Sequence, residues 1–349
     1  MRKKRLLLVS ANRHAVPYPV YPLGLSYLYS YLQERLKGFE IRLFDLNLET
    51  DDALVETLLS FKPDFTGVSF RNVDDVNFYS QESFIKGYGT VIDLIKKTVK
   101  TTIIIGGSAF SIYPEELFTL YNPDFGIQGE GEESLLELLT RLCKGASVKK
   151  IEGLVYRESG EIIVNSRKSF IHSPDLCFDS GMTEFYWDKS GMMNIQTKRG
   201  CPYNCIYCTY PLIEGHNVRT LDPDRIVHTL NDLYNNYKVN YIFFTDSVFN
   251  ISNGFNTDLA GKMIQSGLHM KWGAYFSPHN LDESSLRLFR KAGLTHIEFG
   301  TESLSDATLK SYGKHFDVDE VVRISHICNK IGIYYAHFLI IGGYGETEV

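Results

Sequence analysis

The sequence has no apolar run near the ~20 residues that a bilayer span requires. Its longest stretches are the four residues Leu6–Val9 and the four residues Phe338–Ile341. It has no surplus of positive charge. Lys and Arg number 36 against 42 Asp and Glu, a net −6, which excludes the electrostatic footprint of a nucleic-acid binder. The opening MRKKRLLLV carries too short an apolar stretch for a secretory signal. No Gly-x-Gly-x-x-Gly follows the first apolar run and no phosphate-binding lysine motif occurs, so neither a dinucleotide nor a P-loop site is expected. There is no low-complexity segment and no fixed-period repeat.

Cysteine is present but unevenly spread. Of the six (Cys143, Cys177, Cys201, Cys205, Cys208 and Cys328), three fall within eight residues. A disulfide framework would scatter them through a short secreted chain. This distribution predicts a reducing, cytoplasmic setting and one metal site.

At 349 residues the chain has room for about two domains of roughly 150 residues. In residues 1–145, apolar runs at 5–9, 41–44, 65–69, 101–105 and 125–127 alternate with helical periodicity. Leu25, Leu28, Leu32 and Leu36 mark one such helix, and Leu135, Leu139 and Leu142 another. Five βα units predict an α/β, doubly wound parallel sheet of Rossmann-like type, with ligands bound beyond the carboxyl ends of its strands. Those ends read SANRH, DLNLE, SFRNVDD, GGSAF and QGEGE. Residues 146–190 read as a hairpin around Ser159-Gly160 followed by a linker.

Residues 191–349 return to strand–helix alternation, with strands expected at 193–197, 241–245, 271–276, 296–300 and 334–341. That pattern suits a partial (β/α) barrel whose site lies at the strand carboxyl ends. The sequence stops just after the fifth strand, so a barrel truncated at its C-terminus is expected.

Cys201, Cys205 and Cys208 form C-x₃-C-x₂-C on the loop after the first barrel strand. Thiolates suit iron–sulfur clusters, zinc or copper(I). A closed structural zinc site takes four ligands, whereas three leave a position open. A zinc reading would recruit Cys177 or His216, and the residues alone leave both readings standing.

The segment TKRGCPYNCIYC resembles the cluster loop of the radical S-adenosylmethionine (SAM) enzymes. The resemblance implies a [4Fe–4S] cluster on Cys201, Cys205 and Cys208, with SAM on the fourth iron and Tyr207 beside the adenine. FFTDSVFN resembles the element that meets the SAM amino group, implying Asp246. IEFGTES resembles the ribose element, implying Glu302 and Ser303. IIGGYGET resembles the glycine motif near the adenine, implying Gly342 and Gly343.

The first domain resembles the cobalamin-binding domain that precedes many radical SAM domains, through KPDFTGVSFRN, IIIGGSAFSIYPEEL and GIQGEGEESLLELL. That implies Gly106, Gly107 and Ser108 under the corrin or its tail, with Gly129, Glu130 and Gly131 bordering the tail pocket. Phe70, Arg71 and Asn72 are then expected to face cobalt from below. None of the ten histidines has Asp two positions before it, so the motif that supplies a histidine to cobalt in many cobalamin proteins is absent. The joint resemblance implies a cobalamin-dependent radical SAM methyltransferase acting on an unactivated carbon of a small-molecule or lipid substrate. An electron donor such as flavodoxin or ferredoxin is implied with it. Radical cyclisation or rearrangement is the alternative of the same class, and a non-catalytic iron–sulfur or zinc protein the alternative of another.

Overall fold

A computed structural model describes residues 2–171, 176 and 178–347, and the chain divides into two compact units, Met1–Phe185 and Tyr186–Val349.

In the first unit, seven strands make one sheet: β1 (Lys4–Ser10), β2 (Phe39–Asp45), β3 (Phe65–Ser69), β4 (Thr102–Gly106), β5 (Phe125–Ile127), β6 (Leu154–Glu158) and β7 (Glu161–Val164). Their order is β2-β1-β3-β4-β5-β6-β7, with the first five parallel and the last two antiparallel. Successive strand residues point to opposite faces. Leu7, Val9, Ile103 and Ile105 therefore pack on the helices Asp51–Phe61, Ile85–Thr98 and Pro114–Tyr121. Leu6, Leu8 and Ile104 pack on Leu23–Arg35 and Glu132–Lys144. Burial on both faces explains why these strands read as unbroken apolar runs. The sheet is doubly wound. Its order reverses between β1 and β3, which opens a crevice at their carboxyl ends.

The hairpin expected as part of a connection is instead part of this sheet. β5 is only three residues long, and Gly126 and Ile127 pair with Val155 and Leu154, so the hairpin covers an otherwise free edge. His172–Asp175 and Cys177, within the expected linker, lie outside the described residues.

The second unit holds β8 (Met193–Ile195), β9 (Lys198–Arg199), β10 (Arg219–Thr220), β11 (Tyr241–Phe244), β12 (Lys271–Phe276), β13 (Leu294–Glu302) and β14 (Tyr334–Leu339). Five of these form a sheet ordered β14-β13-β12-β11-β8, parallel throughout, the winding of an open (β/α) barrel arc. Asp222, Asp282 and Asp317 cap the helices Pro223–Tyr237, Glu283–Lys291 and Val318–Ile331 by accepting from their first-turn N–H groups. Each cap contributes ~1 kcal/mol. Phe244, Phe249, Trp272, Phe276 and Phe289 form an aromatic core beneath the arc. The strand expected over 193–197 is shorter than its sequence suggests. It leaves the sheet after Ile195, and Lys198–Arg199 pairs with β10 instead. Among the described residues, no helix is long and apolar enough to cross a membrane.

Candidate cluster and cofactor sites

The turn out of β8 is set by one carboxylate. Asp246, just past β11 and fully buried, accepts from Thr197 N at 2.6 Å and Lys198 N at 3.2 Å through Oδ1. Its Oδ2 accepts from Thr197 Oγ1 at 2.5 Å and Lys198 Nζ at 2.7 Å. The Lys198 ammonium also donates to Phe249 O at 2.8 Å and lies 4.5 Å from the Phe249 ring centroid. Burial pulls Lys198 downward in pKa and Asp246 pushes it back up. Asp246 therefore holds the strand-to-loop turn at the start of the cysteine loop. Its oxygens are already engaged by the backbone and side chains of Thr197 and Lys198. Its neighbour Ser247 faces the loop instead, with Oγ donating to Gly200 O at 3.4 Å and hydrogen-bonded to the Cys201 thiol.

Glu214 fastens the other side of the turn, accepting from Gln196 Nε2 at 2.6 Å and Gly200 N at 3.1 Å. Gly200 has φ +85°, and a Cβ there would overlap the Asn217 carbonyl, so glycine is required where the cysteine loop begins. Cys201 N then donates to Gly215 O at 3.1 Å, and Ile206 N to Tyr312 O at 3.2 Å. The loop is thus pinned at both ends.

Along it, Cys201 is buried, Cys205 half-buried and Cys208 exposed. Burial pushes the Cys201 and Cys205 thiols up in pKa, and the neighbouring thiols raise them further. Thiolates close enough to repel one another are what an iron–sulfur cluster requires, because bound iron takes the place of the protons. Among the described residues no group of three His, Cys, Asp or Glu side chains converges on a single ion position. Of the two further zinc ligands considered, His216 is exposed and Cys177 lies outside the described residues.

Tyr207 and Glu302, far apart in sequence, are brought together: Tyr207 OH donates to Glu302 Oε1 at 2.9 Å. Burial and the Glu302 charge push the Tyr207 phenol well above its ordinary pKa, so it stays a donor. Glu302 also pairs with Lys314 at 3.3 Å. Ser303 serves the turn after β13, its Oγ accepting from Ser305 N at 3.3 Å. Gly342 N and Gly343 N both donate to the Glu346 carboxylate. A Cβ on Gly343 would overlap the Tyr312 hydroxyl, which is buried and has no hydrogen-bond partner among the described residues. An unsatisfied buried hydroxyl beside a glycine turn is a place where a polar ligand atom fits.

In the first unit, Phe70 is fully buried and stacks on Tyr88 with ring centroids 4.5 Å apart. The Phe70 ring is thus part of the core on that face of the sheet. Arg71 and Asn72 stay half-buried, and their carbonyls accept from Ser108 Oγ at 2.5 Å and Tyr88 OH at 2.7 Å. Gly107, φ +97°, lies against the Phe70 backbone with no room for a side chain. Gly106 is more open, since a Cβ there would meet only Ile127 O, at 3.4 Å. Gly129 N donates to Ser111 Oγ at 2.8 Å. Glu130 turns inward and accepts from Ile171 N at 2.8 Å, while Arg167 donates to its carbonyl at 2.6 Å, so its carboxylate is used by the protein. Gly131 is half-buried at the start of the helix Glu132–Lys144.

Sequence reasoning passed over Asn12. It is buried just beyond β1, and among the described residues its Nδ2 has no hydrogen-bond partner. A buried orphan donor at the sheet's carboxyl edge, with Gly106 open nearby in the same strand layer, suits a cofactor rich in amide and phosphate acceptors. Lys198, Tyr312, Lys314 and His315 were also missed. None belongs to a periodic pattern, although Lys198 stands inside the cysteine motif itself.

Comparison with known proteins agrees with this division. The Radical SAM superfamily model matches residues 195–349 and the B12 binding domain model residues 9–139. An uncharacterized methyltransferase of Pyrococcus horikoshii is 27% identical, over 100% of this chain and 76% of its own length. Tryptophan 2-C-methyltransferase of Streptomyces laurentii is 23% identical, over 99% of this chain and 69% of its own. The solved structure of the radical SAM methyltransferase TsrM from Kitasatospora setae, with tryptophan and a SAM analogue bound, superposes with a TM-score of 0.91 at 23% identity. The match covers 99% of this chain and 69% of that one. At that identity the likeness is one of fold.

Proposed function

We propose that this chain, which matches the Radical SAM superfamily model over residues 195–349 and the B12 binding domain model over residues 9–139, is a cobalamin-dependent radical SAM enzyme that methylates an unactivated carbon of a small molecule, either a lipid or a natural-product scaffold. The observation that carries this reading is the Tyr207–Glu302 hydrogen bond of 2.9 Å beside the three-cysteine loop. Its cofactors are a [4Fe–4S] cluster, SAM and cobalamin. When bound, the cluster supplies the electron that splits SAM into methionine and a 5′-deoxyadenosyl radical, and cobalamin carries the methyl group.

The chain's own residues bind and orient. Cys201, Cys205 and Cys208 hold the iron and leave one position open. Glu302, kept aimed by Tyr207 and Lys314, accepts from ribose hydroxyls. Gly342 and Gly343 let the backbone approach the adenine, with Tyr207 on its edge. Asn12, Arg71, Asn72, Gly106, Ser108, Gly129 and Gly131 line the cobalamin edge of the first sheet. The electron comes from a flavodoxin- or ferredoxin-like donor in a reducing, cytoplasmic setting.

The test is the product ratio. Methyl transfer consumes two SAM molecules per turnover, so 5′-deoxyadenosine, S-adenosylhomocysteine and methylated product should form in equal amounts. Cys201→Ala, Cys205→Ala and Cys208→Ala should each abolish all three. 5′-Deoxyadenosine formed without S-adenosylhomocysteine, with a product of unchanged carbon count, would favour cyclisation or rearrangement.

A further inference from the structure

The four residues after the short helix Asp306–Ser311 lie along the cysteine loop. Tyr312 O accepts from Ile206 N at 3.2 Å. Gly313, φ +74°, comes so close that a Cβ would sit 2.8 Å from Asn204 O and 3.8 Å from Cys205 Cα. The His315 ring stacks on Tyr203, centroids 3.7 Å apart and planes 17° off parallel. Between these contacts Lys314 turns inward, with its side chain only 8% exposed.

The Lys314 ammonium is held by polar and aromatic contacts, the Phe316 ring centroid at 5.6 Å among them. It donates to Gly300 O at 2.9 Å, pairs with Glu302 Oε1 at 3.3 Å and stands 5.4 Å from the Tyr207 ring centroid. Glu302 is held in the left-handed region, φ +68°, which is uncommon for a residue with a side chain. Gly313 packs on the Cys205 backbone, and both the neighbouring Lys314 charge and the Glu302 charge are felt at the Cys205 thiol, with opposite signs. Like charges held near one another repel, and a compact ammonium paired with Glu302 offsets that repulsion.

We propose that Lys314 is a positioning residue that joins the cluster to the nucleotide. Its charge balances the Cys205 side of the cluster and keeps the Glu302 carboxylate aimed at SAM. This rests on the reading of Cys205 as a cluster ligand and Glu302 as a SAM contact.

The experiment compares anaerobically reconstituted wild type, Lys314→Met, Lys314→Arg and Lys310→Met, the last an exposed lysine on the preceding helix. Iron content, cluster midpoint potential and SAM dissociation constant are read for each. Lys314→Met should keep its iron, shift the potential to a more negative value and weaken SAM binding about tenfold or more. Lys314→Arg should recover most of both, and Lys310→Met should match wild type. A Lys314→Met protein with wild-type potential and SAM affinity would overturn the proposal. If Lys314→Met fails to hold iron, a filled Lys314→Arg supports the role of charge, and an empty one overturns it in favour of packing. Wild type that holds no iron would defeat the underlying reading, a result distinct from any difference among the variants.

Discussion

The Lys198 ammonium and the Asp246 carboxylate lie 2.7 Å apart with neither side chain exposed to solvent. Removing one partner of such a pair strands a buried charge and costs about 3–5 kcal/mol, whereas replacing both with apolar residues costs less. Asp246→Ala should lower the unfolding free energy of the cofactor-free protein, read from urea titration, by that order and, by freeing Thr197 and Lys198, reduce iron loading. Lys198→Met/Asp246→Leu should recover part of the stability. Full stability in Asp246→Ala would show that the turn is held by something else.

Gly200 offers a cleaner probe of the loop, because its defect is steric. Gly200→Ala must move the Asn217 carbonyl or the start of the cysteine loop, so iron content should fall well below wild type. Gly254→Ala is the matched control, since a Cβ there meets nothing within 4 Å and its helix gains ~0.5–1 kcal/mol from losing a glycine. Equal iron in both variants would contradict the pinned-loop account.

Asn12→Ala should weaken cobalamin binding by ~1–3 kcal/mol, the cost of one buried hydrogen bond. It should leave the melting temperature of the cofactor-free protein nearly unchanged, because Nδ2 has no partner among the described residues. A spectral titration of the whole chain measures the first and thermal unfolding the second. An unaltered cobalamin affinity would remove Asn12 from the site.

His315 makes stability depend on pH. Burial, then His279 and Lys314, push its ring down to about 4. An unfolded histidine titrates near ~6.5. Between those values the unfolded chain holds a proton that the folded one lacks, so stability rises with pH across that window and is lost as pH falls through it. The ceiling is ~3 kcal/mol, reduced by solvent at a ring that is only half-buried. His315→Asn should flatten the stability profile between about pH 4 and 6.5. A profile unchanged by the substitution would rule this out.

The sheet of the first unit was legible because both its faces are buried, which writes each strand as an apolar run such as Leu6–Val9. The helices Asp51–Phe61 and Val318–Ile331 were legible from spacing and caps. The end of β8 was not. Thr197 belongs by propensity to a strand, and only Asp246, 49 residues later, draws its N–H out of the sheet. The cysteine loop could be read from spacing alone. The Lys314 contact could not, because it depends on a glycine, Gly313, whose close approach to the loop has no signature in sequence. The direction of the Phe70 ring was not legible for a related reason: a residue at a strand's carboxyl end can still point into the core, as its stack on Tyr88 shows.

In the proposed reaction one chain passes a methyl group from SAM, by way of cobalamin, to a carbon substrate. The most direct measurement uses SAM labelled with three deuteriums on its methyl group, under reducing anaerobic conditions with the wild-type protein and extracted cellular small molecules and lipids. The account predicts a product that gains an intact trideuterated methyl group, dependent on added cobalamin and lost in Cys205→Ala. A product that forms without gaining label, or that gains it equally in the absence of cobalamin, would contradict it.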